Sequence, residues 1–192
     1  MSTITGVILA GGRGQRLGGV DKGLMRLQGK SIIEWIIPVL TPQVSNILIN
    51  ANRHIAEYSA YGYPVASDTL ADFQGPLAGF VTAMQHVSTS YFVTVPCDAP
   101  HIAPNYVERL WRARVRDNTL VAVAHDGERL QPTHALIAVE LLPNILAFLQ
   151  TGQRKIEAWY QTLQYSTVDF AEGALMFDNI NTPEQLARKQ GL

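Results

Sequence analysis

Thr5-Gly6-Val7-Ile8-Leu9-Ala10 is an apolar run that passes straight into Gly11-Gly12-Arg13-Gly14-Gln15-Arg16-Leu17-Gly18-Gly19-Val20-Asp21-Lys22-Gly23. An uninterrupted apolar run of this length reads as a strand buried on both faces, the kind that parallel sheets use. The loop behind it holds six of the chain's 15 glycines. Glycine tolerates positive φ and lets the backbone approach a ligand, so that amide groups can face phosphate oxygens. Arg13, Arg16 and Lys22 stand in the same stretch, and cations of this kind suit a polyphosphate. A flexible turn with solvated charges is the plain alternative. Six glycines and three cations directly after a buried strand exceed what a turn needs.

Working outward, further apolar runs at 46–50, 65–67 and 91–96 alternate with amphipathic stretches. That alternation predicts a mostly parallel sheet covered by helices. Ser31-Ile32-Ile33-Glu34 is a capping box opening a helix to about residue 40. Helical spacing marks 76–87 and 104–115, each beginning with proline. After residue 118 the order changes. Runs at 120–124 and 134–139 flank Asp126-Gly127 and predict two antiparallel strands. Helices at 141–149 and 155–163, a strand at 165–170 and a last helix capped by Thr182-Pro183-Glu184-Gln185 complete the reading.

Composition bounds the function classes. At 192 residues, 47% hydrophobic and 16% charged, the chain is an ordinary globule able to bury a core. Fifteen basic residues against 16 acidic ones argue against a nucleic-acid partner, which needs a concentrated positive field. A single cysteine, Cys97, excludes an internal disulfide and fits a reducing compartment. The N-terminal residues lack the basic and long apolar regions of a signal peptide, and no apolar run approaches the ~20 residues of a membrane span. A cytoplasmic location and no membrane partner are therefore expected.

Two familiar phosphate loops do not fit. A dinucleotide fingerprint needs G-x-G-x-x-G, and the stretch from Gly12 to Gly18 has one residue too many. Gly29-Lys30-Ser31 supplies the end of a P-loop, but Leu24 occupies its first glycine position and no strand precedes it. The carboxyl ends of the strands carry the remaining candidates, because in an open parallel sheet they converge on one crevice. Asn50, Asp68 and Asp98 end three of the apolar runs. Asp98 can hold Mg²⁺, which prefers oxygen ligands from one or two carboxylates together with phosphates. Asp98 can equally be a turn former, and Asn50 and Asp68 can simply end strands. Gly75-Pro76-Leu77-Ala78-Gly79 offers a glycine-flanked helix start where a flat base can approach. His54, His86, His101, His125 and His134 show no metal spacing and read as surface or satisfied residues, and Cys97 reads as a small buried one. Arg109, Arg112 and Arg116 fall on one helical face and are expected to be solvated.

The glycine loop, with Leu9-Ala10 ahead of it, resembles the signature of the molybdenum cofactor guanylyltransferases, the MobA family of nucleotidyltransferases. The resemblance continues through Asn50-Ala51-Asn52, Asp68, Gly75 to Gly79, Pro96-Cys97-Asp98-Ala99-Pro100 and Asn179-Ile180-Asn181-Thr182-Pro183, at similar spacing over nearly the whole chain. Leu17 stands where methionine is common in these enzymes. The resemblance implies a Rossmann-like three-layer α/β/α nucleotidyltransferase fold, mostly parallel with an antiparallel portion in the C-terminal half. It implies one domain over 1–192, with a nucleotide-binding half at 1–100 and an acceptor-binding half at 101–192. The implied reaction moves GMP from Mg-GTP to the terminal phosphate of molybdopterin carrying molybdenum. By match, Leu9, Ala10, Gly11, Gly12, Lys22, Asn50, Asp68, Gly79 and Asp98 would bind GTP. Lys22, Arg16 and Asp98 would serve catalysis, with Asp98 also on Mg²⁺. Arg154, Lys155, Asn179 and Asn181 match positions on the pterin side. Implied partners are GTP, molybdenum-molybdopterin, other molybdenum-cofactor assembly proteins and apo-molybdoenzymes. The rival readings are a cytidylyltransferase, or another small nucleotidyltransferase with a phosphorylated acceptor, and a nucleotide-binding regulator without chemistry.

Overall fold

β1 (Ile4–Leu9) is an interior strand of the main sheet in a computed structural model that describes residues 3–12, 20–70, 75–180 and 185. It pairs in parallel with β4 (Asn46–Asn50) on one side and β6 (Tyr91–Pro96) on the other. β5 (Val65–Ala66) extends the sheet beyond β4. β8 (Leu130–Ala138) runs antiparallel to both β6 and β7 (Val121–His125), and β9 (Ser166–Asp169) is parallel to β7. The order across the sheet is β5-β4-β1-β6-β8-β7-β9, so β8 supplies the expected antiparallel portion.

Alternation along β1 assigns its two faces, because successive side chains of a strand point opposite ways. Ile4 and Ile8 join a core with Ile33, Ile36 and Leu40 of α1 (Ile33–Leu40), Tyr58 of α2 (Ile55–Ser59) and Leu110 of α4 (Tyr106–Asp117). Val7 joins a second core with Phe80 of α3 (Pro76–His86), Phe148 of α5 (Leu142–Gln150) and Trp159 of α6 (Ile156–Tyr160). Helices therefore cover both faces, which makes the three layers. Gly6 lets α1 pack closely on β1: an added Cβ would lie 2.8 Å from Leu40 Cδ2.

Several local expectations are refined. Glu34 accepts the Ser31 N–H at 2.7 Å, the return half of the capping box. Ser31 also ends a small hairpin, β2 (Arg26–Leu27) with β3 (Lys30–Ser31), that the sequence reading missed. The Asp126-Gly127 turn forms with Gly127 at φ 97°, while Asp126 Oδ1 accepts the Glu128 and Arg129 N–H groups. β8 begins at Leu130, earlier than expected. Its pairing with β7 jumps from Ala124↔Gln131 to Val123↔Ala135, so residues 132–134 bulge out of the ladder. Arg109 is not solvated as expected: it bonds the Glu172 carboxylate and the Asp169 carbonyl, and its guanidinium lies 4.1 Å from the Phe170 ring centre. The helix expected at 182–185 lies outside the described residues, apart from Gln185.

Candidate functional site

The chain runs from β1 outward through β4 and β5, then crosses back with α3 to place β6 on the other side of β1. This reversal opens a crevice at the carboxyl ends of the three strands, the position where open α/β sheets bind ligands. Backbone bonds pin those ends together: Ala10 N–H to the Asn50 carbonyl at 2.7 Å, and Cys97 N–H to the Leu9 carbonyl at 3.0 Å.

A cavity of about 430 Å³ lies in the crevice. Leu9, Ala10, Gly11 and Gly12 line it from β1, Asn50 from β4, Asp68 from beyond β5, and Gly75, Pro76 and Gly79 from the start of α3. Asp21 and Lys22 reach it from the glycine loop, Pro96, Cys97 and Asp98 from β6, and Thr133 from the bulge of β8. The nine residues that the resemblance assigned to GTP are all among these. Arg16 and Asn181 lie outside the described residues.

Lys22 Nζ meets Asp98 Oδ2 at 2.8 Å. Asp98 Oδ1 is buried and has no hydrogen-bond partner among the described residues. An orphaned carboxylate oxygen costs folding free energy unless an ion or ligand satisfies it, and so marks a binding position. Asp68 is held by donors on every side: Asn50 Nδ2 at 2.9 Å and Thr82 Oγ1 at 3.3 Å reach Oδ1, and Asn52 Nδ2 reaches Oδ2 at 2.7 Å. Burial pushes the Cys97 thiol up, reinforced by the Asp98 charge, so Cys97 stays a neutral wall residue.

The loop around Lys22 is built on a contact that the sequence does not advertise. Asp21 Oδ1 accepts from the buried Tyr58 hydroxyl of α2 and from the Gly23 N–H at 3.2 Å. A Cβ at residue 23 would lie 2.5 Å from the Tyr58 oxygen, so Gly23 makes room for Tyr58 rather than for a ligand. Arg53 Nη2 donates to the Gly12 carbonyl at 3.1 Å. The loss of Cβ atoms at Gly11 and Gly79 keeps Asn50 Oδ1 open, since either would approach it, to 3.2 and 2.7 Å.

Of the residues matched to the pterin side, Arg154, Lys155 and Asn179 are not among those lining this cavity. Arg154 and Lys155 are exposed beside α6, and Arg154 Nη1 donates to the carbonyls of Leu149 and Gln153, both at 2.7 Å. Asn179 is nearer, because the neighbouring Ile180 N–H donates to the Asp98 carbonyl at 2.9 Å. None of the five histidines lines the cavity. His134 departs from the expectation of a satisfied residue: it is buried between Tyr106 and Phe177 with both ring nitrogens unpartnered among the described residues. Burial pushes its pKa down to about 3, which keeps the ring neutral.

Comparison with known proteins agrees with this geometry. A molybdenum cofactor guanylyltransferase of Shewanella sp. (strain MR-4) is 46% identical over 185 residues, 96% of this chain and 94% of the relative. Two solved structures share the fold. Molybdopterin-guanine dinucleotide biosynthesis protein A from Archaeoglobus fulgidus superposes with a TM-score of 0.79 at 23% identity, covering 98% of this chain and 97% of its own. 2-C-methyl-D-erythritol 4-phosphate cytidylyltransferase from Thermus thermophilus has a TM-score of 0.73 at 16% identity, covering 100% and 98%. The profile of the MobA-like NTP transferase domain matches residues 6–168, a span that contains every residue of the cavity. The chain belongs to the family of MobA-like NTP transferases.

Proposed function

We propose that the protein transfers GMP from Mg-GTP to the terminal phosphate of molybdopterin carrying molybdenum, giving the guanine dinucleotide cofactor and pyrophosphate. The observation that carries this reading is the convergence of nine separately matched residues on one cavity that also holds the Lys22–Asp98 pair. The volume suits a small-molecule ligand.

In the reaction an oxygen of the acceptor phosphate forms a bond to the α-phosphorus, and the bond from that phosphorus to the oxygen of the leaving pyrophosphate breaks. Backbone amides of the Gly11-Gly12 segment hold the triphosphate so that attack is oriented. Lys22 offsets the charge gathering on pyrophosphate, and Arg16 is assigned the same task by the resemblance alone. The site fits a divalent cation, because Asp98 Oδ1 is a buried carboxylate oxygen awaiting a partner. When bound, Mg²⁺ would add Lewis-acid polarisation of the phosphate oxygens. Asp98 would hold it. The acceptor needs no base: a phosphate monoester has its second pKa near ~6 and is mostly dianionic at neutral pH. The absence of histidine from the cavity lining accords with this.

Arg154, Lys155, Asn179 and Asn181 are assigned to the acceptor, with the product passing to apo-molybdoenzymes in the cytoplasm. Among the described residues no helix is long and apolar enough to cross a membrane. The test is to offer α-labelled GTP or CTP with molybdopterin and follow label and pyrophosphate. Labelled dinucleotide from GTP is expected. Product from CTP alone would replace the reading by cytidylyl transfer, which the shared fold also accommodates. Nucleotide binding without pyrophosphate release would leave a regulator.

A further inference from the structure

We propose that Asn52, which does not line the cavity, is a positioning residue that aims two parts of the nucleotide site at once. This rests on the reading of the cavity as a GTP site and deepens it. Asn52 follows the end of β4 and stands between the chain segments leaving β1 and β5. Its Nδ2 donates to the Gly11 carbonyl at 3.1 Å and to Asp68 Oδ2 at 2.7 Å, while its Oδ1 accepts the Asp68 N–H at 2.8 Å. Both amide hydrogens and the carbonyl are thus engaged by the protein. The orientation is forced, since the flipped amide would set its oxygen against a carboxylate and a carbonyl.

Two consequences follow from the geometry. Within a trans peptide the C=O and the following N–H lie in one plane and point in opposite directions. Anchoring the Gly11 carbonyl therefore fixes the direction of the Gly12 N–H, one of the amides available to a phosphate. On the other arm, Asn52 supplies one of the three side-chain donors that hold the Asp68 carboxylate, a residue of the cavity wall. The identity of residue 11 reflects the same contact. A Cβ there would lie 2.8 Å from Asn52 Nδ2 and would push the clamp apart.

The experiment measures Mg-GTP affinity by calorimetry, without acceptor, for the wild type, Asn52→Ala, Asn52→Asp, Asp68→Ala and the Asn52→Ala/Asp68→Ala double variant. Loss of a hydrogen bond to a charged group corresponds to about a tenfold or greater effect, so Asn52→Ala should weaken Mg-GTP at least about tenfold. Asn52→Asp keeps the shape and the acceptor but faces Asp68 with a second carboxylate, and should be weaker still. Because Asn52 acts partly through Asp68, its removal should cost at least about threefold less in the Asp68→Ala background; a purely architectural role gives no such coupling. Affinity within about twofold of wild type in Asn52→Ala, or in Asn52→Asp should the alanine variant not fold, overturns the proposal. So do losses that simply multiply. If the wild type itself fails to bind Mg-GTP, the functional reading has failed instead. The clamp is then judged on exchange of the Asp68 amide hydrogen, which should quicken about tenfold or more in Asn52→Ala; unchanged exchange overturns it.

Discussion

Replacing Gly79 with alanine separates the demands of the site from those of the fold. Gly79 is the fourth residue of α3, and its absent side chain leaves room for two neighbours. A Cβ would lie 2.9 Å from Leu9 Cδ2 and 2.7 Å from Asn50 Oδ1. The leucine methyl is the far end of a flexible side chain and can rotate away. Asn50 cannot, being 2% exposed and tied through Nδ2 to Asp68 Oδ1 at 2.9 Å and to the Ala66 carbonyl at 3.2 Å. Ordinary contact with the new methyl needs about 3.4 Å, an outward shift of up to about 0.7 Å. A rigid amide moving that far takes the 2.9 Å bond towards about 3.6 Å, beyond hydrogen-bonding range. Losing a bond to a carboxylate costs about 1.5–3 kcal/mol. Alanine regains about 1 kcal/mol of helix propensity over glycine. The net loss of stability is about 0.5–2 kcal/mol, or a few degrees in Tm for a chain of this size. Nucleotide affinity should fall at least about tenfold, because the same shift disturbs Asn50 and Asp68 together. Urea unfolding and Mg-GTP calorimetry on one sample give both numbers. Wild-type affinity would refute the argument, and so would a stability loss above about 4 kcal/mol, which would mean that residue 79 is packed for the fold alone.

Asp98→Asn should abolish pyrophosphate release while leaving the unfolding transition near that of the wild type; full activity across a Mg²⁺ titration would remove Asp98 from the metal. Lys22→Ala should slow the reaction about 10²–10³-fold. Its cost in stability should be only about 1–2 kcal/mol, because the Lys22–Asp98 pair is part-exposed on an open cavity rather than sealed in the core; an unchanged single-turnover rate would place Lys22 outside the reaction. His134 ties stability to pH. Its folded pKa is depressed to about 3, so the unfolded chain binds the extra proton, and the stabilisation present above about pH 6.5 is lost as pH falls from there towards 3. Wild-type stability should fall in that window by up to about 1.4 kcal/mol per pH unit more than that of His134→Phe, as measured by urea unfolding at a series of pH values; parallel profiles would contradict it. Arg154→Gln with Lys155→Gln should weaken acceptor binding and leave GTP binding intact, and equal loss of both affinities would contradict a divided site.

The strands that place the site were legible because each is a continuous apolar run bounded by turn residues, and β1, β4 and β6 need no long-range information to be found. What escaped is short or interrupted. β2 and β3 have two residues each, too few to show alternation. Their turn puts Gln28 as well as Gly29 at positive φ, and glutamine gives no warning of that. α2 has five residues and begins after His54 in a left-handed conformation. β8 starts before its recognisable part because Pro132, within the bulge, cannot donate to the ladder and breaks the period-two pattern that identifies a strand.

The site divided along a similar line. Residues that face the cavity from strand ends could be found from position alone, since topology sends all such ends to one place. Residues that act by holding others could not. Tyr58 reads as one more core aromatic until Asp21, 37 residues earlier, is found against its hydroxyl. Gly23 reads as part of the phosphate loop until the Tyr58 oxygen is found where its Cβ would sit. The same holds for Asn52, whose meaning lies in the Gly11 carbonyl 41 positions away. Each of these depends on a pairwise distance fixed only when β1, β4 and the segments after them are brought side by side. The Gly79→Ala and Asn52→Ala experiments therefore ask related questions from opposite sides of Asp68: one pushes its Asn50 partner away by crowding, the other removes a partner outright. If a firmly held Asp68 carboxylate is what the nucleotide needs, both must weaken GTP binding, and neither loss can be predicted from the change in stability.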